Sequence, residues 1–443
     1  MRRIYSDYAF GNGPRDGCWW DETVAAPDWP VLDRDLKVDV AIVGGGFTGI
    51  SAALTLAEAG AQVAVLEANS PGWGASGRNG GFCCLGGARM SHKQMVKQCG
   101  ETGAQHYLET ERAATELVAA RLDRYDIDAD RHSDGETLLA HSDAAMEEMR
   151  ADAEVLASRH KVSVKVTEAT DLATQGMNGN FHGAVTIPIG FALNPRKYLF
   201  GIARAAASAG AVFFQNSPVT GIEESRDRVT LTTPNGLVHC DRVIVATNAY
   251  SSEDVPDWMA GRYLPTQSNV LVARPLSDSV LDAQGWTTGQ ASYDSRHLLH
   301  YFRLMPDRRF LFGSRGGMRS TPGAEFAARR RNRLHFEQMF PAWRHVESAH
   351  QWSGMVCLSR TGAPFVGAIP GTKRQYAAMC YHGNGLAMGS WAGEHLARVM
   401  LDLAQTSGIP ALMQSPLVRF PLGSLRRALV PPAYLGMRWA DRT

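Results

Sequence analysis

The hexamer Gly44-Gly45-Gly46-Phe47-Thr48-Gly49 constrains this chain more than any other stretch, because of what flanks it. Residues 38–43 form a short apolar run that reads as a buried parallel strand. Residues 48–59 set Ile50, Ala53, Leu54 and Ala57 on one helical face, and Gly60 supplies a stop. Residues 63–66 are a second apolar strand, closed by Glu67, 18 residues beyond Gly49. Strand, glycine turn, helix and strand within about thirty residues make a βαβ unit, and G-x-G-x-x-G in that setting is a dinucleotide fingerprint. Gly44 permits the tight turn, Gly46 lets backbone approach a pyrophosphate, and Gly49 lets helix pack on strand. Phe47 and Thr48 open the helix, whose N-terminus faces the phosphates. Glu67, followed by Ala68, accepts hydrogen bonds from ribose hydroxyls, and its charge repels a 2′-phosphate.

Bulk properties narrow the remaining classes. A chain of 443 residues exceeds one simple core, so two intimately joined domains are expected. With 45 basic against 44 acidic residues, nothing favours nucleic acid or an acidic membrane surface as partner. No apolar run reaches the roughly 20 residues of a bilayer span, and Met1 to Tyr8 lacks the apolar region of a signal peptide. The seven cysteines are scattered without a C-x-x-C pair. They point to a reduced, cytoplasmic chain without disulfides or a zinc site. The fourteen histidines form no ligand-spaced cluster, so no metal is expected.

Residues 1–37 read as an irregular arm anchored by Trp19-Trp20. Residues 101–122 and 143–160 read as amphipathic helices, and Asn194-Pro195 opens a third that runs to Gly210. Strands follow at 212–214 and 219–222, then a hairpin of 229–233 and 237–240 around Pro234-Asn235-Gly236, then a buried strand at 243–246. Residues 262–316 hold several strand-like runs, 325–339 a basic helix, and 377–380 a last strand. A glycine loop then enters a helix from about Leu386 to Leu403. This order predicts an α/β fold with an α+β insertion: a Rossmann-like cofactor domain and a second, mainly antiparallel-sheet domain. The expected boundaries are 1–37 for the arm, 38–90, 145–260 and 345–443 for the discontinuous cofactor domain, and 91–144 with 261–344 for the substrate cap.

The fingerprint alone leaves FAD and NAD both open. The stretch after the second strand, Pro71-Gly72-Trp73-Gly74-Ala75-Ser76-Gly77-Arg78-Asn79-Gly80-Gly81, favours FAD. So many glycines lose entropy on ordering, which is tolerable where a flat isoalloxazine packs on backbone. With Gly44–Gly49 and Glu67, this loop resembles the D-amino-acid oxidase type of FAD-dependent amine oxidoreductases. The Trp19-Trp20 arm and the phrase Gly72 to Gly81 are most similar to the gamma-glutamylputrescine oxidase group within it. The resemblance continues at Asn194-Pro195, Pro218-Val219, Ala246 to Ala249, His300 to Arg303 and Tyr381 to Gly385, and so spans nearly the whole chain.

The resemblance implies non-covalent FAD. Gly74, Ala75, Ser76, Arg78, Asn79, Gly80, Gly81 and Phe82 would line pyrophosphate and flavin, Val219 would hold adenine by its backbone, and Ala246-Thr247-Asn248 would close over the dinucleotide. His382, Gly383, Asn384, Gly385 and Leu386 would lie beside the flavin pyrimidine, where the following helix dipole stabilises negative charge. Relatives with histidine-linked flavin carry it at about the place of Arg78, so that linkage is not expected here. Cys357 lies in the region of cysteine-linked relatives; apolar packing is the expectation for it and for Cys83 and Cys84.

For chemistry, Tyr301 and Arg303 share one face of a strand. Tyr301 is expected to orient substrate and Arg303 to support it, while Arg360 approaches a substrate carboxylate and His382 sits at the flavin. The implied reaction moves a hydride from an amine-bearing carbon to flavin N5, and the imine then hydrolyses to a carbonyl product. A dry pocket favours the neutral amine this needs. Oxygen or an electron carrier takes the electrons. A quinone-linked dehydrogenase and a non-catalytic flavoprotein remain open, and the absence of a second fingerprint argues against a reductase using NAD(P)H. A polyamine derivative, an N-methyl amino acid and a D-amino acid all remain candidate substrates.

Overall fold

The computed structural model describes residues 1–402 and 408–441. The strand Leu36–Val43 forms the middle of a largely parallel sheet. It pairs in parallel with Val63–Leu66 on one side and with Gly236–Val245 on the other. Val212–Phe214 extends the first edge and Gln375–Met379 the second, both in parallel. Alternation then divides the side chains. Ile42, Val63 and Val65 face the helices Phe47–Glu58, Pro195–Ser208 and Ala387–Met400, whereas Ala41, Val43, Ala64 and Leu66 face the antiparallel strands Gly221–Glu224 and Val229–Thr233.

The sequence marks most of these elements, with instructive departures. Residues 237–240 and 243–246 were expected as two strands; they are parts of one ten-residue strand, Gly236–Val245. Asp241 and Arg242 look like a break, yet Arg242 stays in register opposite Val40, because a strand tolerates polar residues at its exposed positions. Val219 lies in a loop rather than a strand, which begins at Gly221. The helix expected from residue 101 is preceded by a further helical segment that starts at His92, where Ser91 and Gln94 form a capping box, and Gly100 (φ 73°) kinks the path between the two parts. Asn194 caps Pro195–Ser208 by accepting the N–H groups of Arg196 and Lys197. The last helix is Ala387–Met400; its expected end at Leu403 and the chain end at Thr443 fall outside the described residues.

A second sheet of eight strands runs in the order Ser348–Leu358, Leu264–Ala273, Phe310–Gly317, His300–Leu304, Ala291–Asp294, Glu136–Leu139, Gly183–Ile187, Lys165–Glu168. It is antiparallel except where Ala291–Asp294 meets Glu136–Leu139. One face buries Phe302, Phe310 and Phe312 with Phe336, Phe340 and Trp343 from the helix Pro322–Met339 and the turn after it. The opposite face turns toward the first sheet. Residues 165–187 and 348–358 belong to this second sheet, not to the cofactor domain in which the expected boundaries put them. The helix His92–Arg124, expected in the cap, packs on Phe47–Glu58 and Ala387–Met400 instead: Arg121 hydrogen-bonds Ser51 and pairs with Glu394 at 2.9 Å. Pattern alone could not assign these segments, since a sheet can recruit strands far apart in sequence.

The arm is anchored as the two tryptophans suggest. Trp20 is buried, meets Trp352 edge-on, and donates its Nε1–H to the Asn79 carbonyl (2.8 Å). Trp19 is half-buried against Arg309 and His350. Among the described residues no helix is long and apolar enough to cross a membrane.

Candidate active site

The fingerprint turn is built by contact, not by flexibility alone. Gly44 has φ +109°, and a Cβ there would lie 2.9 Å from the Ala246 carbonyl. A Cβ on Gly49 would lie 2.0 Å from the Gly44 carbonyl, so only glycine lets the helix start this close to the strand. Ser76 Oγ accepts the Phe47 N–H (2.9 Å), and the Glu67 carboxylate accepts the N–H groups of Gly45 (2.9 Å) and Asn69 (3.0 Å). Loss of water pushes the Glu67 pKa above the usual carboxylate range, against these hydrogen bonds.

One continuous cavity runs from this turn to the second sheet. Phe47, Thr48, Glu67, Ala68 and Val219 line one end, with Gly44 and Gly46. Gly74, Ala75, Ser76, Arg78, Asn79, Gly80 and Phe82 line its middle with Ala246, Thr247 and Asn248, and His382, Gly383, Asn384, Gly385 and Leu386 close over it. The pieces are cross-tied. Tyr381 Oη and Thr48 Oγ1 hydrogen-bond at 2.9 Å, Asn248 Oδ1 accepts the Cys380 N–H (3.0 Å), and Asn384 Nδ2 donates to the Leu85 carbonyl (2.6 Å). Asn79 folds its own loop, accepting from Gly81 N–H and donating to the Ala75 and Ser76 carbonyls.

Arg78 and His382 each bring to this cavity a buried donor with no partner among the described residues. Arg78 is 2% exposed. Its Nε donates to the Trp73 carbonyl (3.0 Å) and its Nη1 to Ser353 (3.2 Å), leaving Nη2 unpaired. His382 accepts the Ser359 N–H at Nε2 (3.3 Å), which leaves the ring proton on Nδ1, and Nδ1 is unpaired. Burial, with Arg315 and Arg89 nearby, lowers the His382 pKa to about 3, so the ring stays neutral. A buried cation, a buried neutral donor and a glycine cradle at a helix N-terminus fit an anionic dinucleotide with a polar ring system.

Four of the expected residues do not line the cavity. Gly49 and Gly81 act from behind; a Cβ on Gly81 would lie 2.0 Å from the Leu193 carbonyl. Arg303 shares its strand face with Tyr301 as expected, but it is fully buried past the cavity edge. It donates to the carbonyls of Gly80 (3.1 Å) and Leu193 (2.8 Å) and, through Nη1, to His132 Nε2 (2.9 Å). It therefore ties down the loop at Gly80 and does not reach the cavity in which a substrate would lie. Arg360 is exposed and donates to the Arg419 carbonyl (3.0 Å), so it meets no substrate in the cavity either. The strand turns between Leu358 and Phe365, a change of direction that apolar periodicity does not report.

The expected Tyr301 does line the cavity, together with side chains that were not foreseen. Arg315 lines the cavity and donates to the His382 carbonyl (3.0 Å), and burial lowers its pKa. Tyr301 lies beside Gly80 and Phe82, with its hydroxyl 3.0 Å from Ser268 Oγ, and burial raises its pKa. Tyr250 and Trp73 flank Arg78. Cys84, expected as inert filler, reaches the cavity wall, as do Tyr293 and Glu136. Cys357 also lines it, with its Sγ 3.5 Å from Cys380 Sγ. The strand alternation of Tyr293, Tyr301 and Arg315 was available in the sequence, but not which face turned inward.

Residues 39–399 match the family model described as FAD dependent oxidoreductase (DAO), and the chain belongs to that family. It is an FAD-dependent oxidoreductase. The chain is 30% identical over 380 residues to the probable oxidoreductase OrdL of Haemophilus influenzae, covering 84% of this chain and 85% of that one. It is 29% identical over 405 residues to the gamma-glutamylputrescine oxidoreductase of Escherichia coli K12, covering 89% and 91%. Among solved structures, glycine oxidase from Geobacillus kaustophilus superposes with a TM-score of 0.71 at 18% identity, over 86% of this chain and all of that one.

Proposed function

We propose that this protein oxidises a small-molecule amine at its C–N bond, with non-covalently bound FAD and with oxygen or an electron carrier as acceptor. The single observation that carries the reading is the cavity itself. It joins a dinucleotide cradle to a chamber walled by Tyr301, Tyr293, Ser268 and Val270 of the second sheet. Bound FAD supplies the hydride acceptor; the chain's residues supply binding, orientation and dryness. Glu67 would hold a ribose, Arg78 the charged middle of the cofactor, and His382 Nδ1–H an acceptor on its ring. Tyr301, closing over Gly80, orients the amine and excludes water, and a poorly hydrated chamber favours the neutral amine. Arg315, the cation on this wall, takes the carboxylate-binding place first expected for Arg360. The second sheet then acts as the substrate cap.

The names of the relatives agree: a gamma-glutamylputrescine oxidoreductase and a glycine oxidase both act on amine-bearing compounds. Non-covalent binding is supported by the packing of Cys357 against Cys380. A cytoplasmic location is the further reading, supported by the seven free thiols. The test is anaerobic bleaching of the bound flavin by acylated polyamines, sarcosine and D-amino acids. Silence with every amine would return the protein to the class of non-catalytic flavoproteins. Bleaching followed by rapid recovery on admitting air marks an oxidase, and slow recovery a dehydrogenase.

A further inference from the structure

The cap wall of the cavity carries one acidic side chain whose presence the flavin chemistry does not explain. Glu136 sits on the strand Glu136–Leu139 and is 3% exposed, yet it lines the cavity. Its neighbours follow from register. Tyr301 lies opposite Tyr293, and Tyr293 opposite Leu138, so Glu136 is two residues along the same face from Tyr293's partner. Tyr301, Tyr293 and Glu136 thus form a row across three strands. Two strand spacings of about 4.8 Å put Glu136 roughly 10 Å from the strand that carries Tyr301.

The side chains of Tyr293 and Cys84 and the Leu85 N–H lie near the carboxyl and favour its charged form, against the larger effect of burial. A carboxylate has about four lone-pair sites, more than these three neighbouring donors could fill. No Lys, Arg or His forms an ion pair with it among the described residues. The Arg303 guanidinium on the Cys84 side is committed to Gly80, Leu193 and His132. A second buried carboxyl, Glu111, lies near enough for Glu136 to oppose its ionisation, and burial raises its pKa to about 8, so it brings no cation to Glu136. An isolated buried carboxyl is costly to keep and is normally satisfied by a cation. Here the open site faces the chamber.

Resting on the amine-oxidation reading, we propose that Glu136 is a specificity residue that holds a second cationic group of the substrate, an ammonium or guanidinium at the end remote from the reacting carbon. The chamber then selects dications over simple alkylamines. Tyr293 and Cys84 position the carboxyl, and the ion pair forms only when the substrate is long enough to reach it.

The test uses the FAD-loaded enzyme and a series of α,ω-diaminoalkanes against the n-alkylamine of each length, with dissociation constants measured calorimetrically without oxygen. The wild type is expected to bind a diamine of one particular length at least tenfold more tightly than the matching alkylamine. Glu136→Gln is expected to bring the pair within about twofold by weakening the diamine selectively. Glu136→Asp, which keeps the charge but withdraws it by one methylene, is expected to keep the preference and move it to a longer diamine. Absence of any diamine preference in the wild type, equal weakening of both ligands in Glu136→Gln, or an unshifted optimum in Glu136→Asp overturns the assignment. Flavin bleaching read on the same samples keeps the two readings apart. Bleaching by amines without a diamine preference sinks the role of Glu136 alone, and no bleaching by any amine sinks the oxidation reading.

Discussion

Replacing Arg303 by methionine should damage cofactor binding and leave substrate recognition intact. The side chain is fully buried, and its Nε and Nη2 satisfy the carbonyls of Gly80 and Leu193. The Gly80 carbonyl belongs to the loop that lines the cavity. His132 takes the third donor at Nε2, while its Nδ1 lies 2.7 Å from the Asp130 carbonyl. Burial and Arg303 lower the His132 pKa to about 3, so the ring is a neutral acceptor over the ordinary range. Each carbonyl stranded by the substitution costs about 1–3 kcal/mol. Part of this is offset, because burial strips water from the guanidinium and lowers its pKa to about 9. A net loss of about 3 kcal/mol corresponds to roughly a 150-fold change in an equilibrium constant. Because the loop must be ordered to receive the cofactor, most of that loss should appear as a weaker FAD dissociation constant, measured by fluorescence quenching on reconstituting the apoprotein. At saturating FAD, KM should change less than threefold. Unchanged FAD affinity with a tenfold rise in KM would refute the reasoning and return Arg303 to the substrate.

Gly49→Ala places a Cβ 2.0 Å from the Gly44 carbonyl, which forces strand and helix apart; it should cost about 3 kcal/mol or more and yield colourless protein, whereas yellow protein with normal FAD content would contradict it. Tyr301→Phe removes the hydroxyl bonded to Ser268, so stability should fall by about 1 kcal/mol while kcat/KM falls about tenfold with FAD content unchanged; equal kcat/KM would limit Tyr301 to packing. Glu136 has a folded pKa raised by burial to about 7 from 4.5. The folded state therefore binds this proton more tightly, and the associated stability is present below pH 4.5 and lost as pH rises through 7, by roughly 3 kcal/mol in all. Urea titrations of the apoprotein should show this decline between pH 5 and 8, and Glu136→Gln should flatten it; identical slopes in the two proteins would refute the buried-carboxyl argument.

What the sequence makes legible is the part of the site that rests on local backbone geometry. Gly44 to Gly49 and Glu67 read as a cofactor turn because the strand, turn, helix and strand that carry them are consecutive in one βαβ unit, and residues 74–80 lie in the loop after its second strand. The loop at His382 to Leu386 is legible for the same reason, since a strand and a helix flank it. Substrate-side residues are another matter. Glu136, Tyr293, Tyr301, Ser268 and Arg315 come from five strands that become neighbours only when the second sheet closes. Strand alternation correctly joins Tyr301 and Arg303 on one face, but two residues along a strand is a step of about 7 Å. That step carries Arg303 from the chamber to the far side of the Gly80 loop. Periodicity gives the face and not the position along it, so a cavity wall built from distant strands is hidden from sequence while a turn built from consecutive elements is displayed. Substitutions that retune the substrate should therefore fall on the row from Ser268 to Glu136, and those that remove the cofactor on the local turns around Gly44 and Gly80.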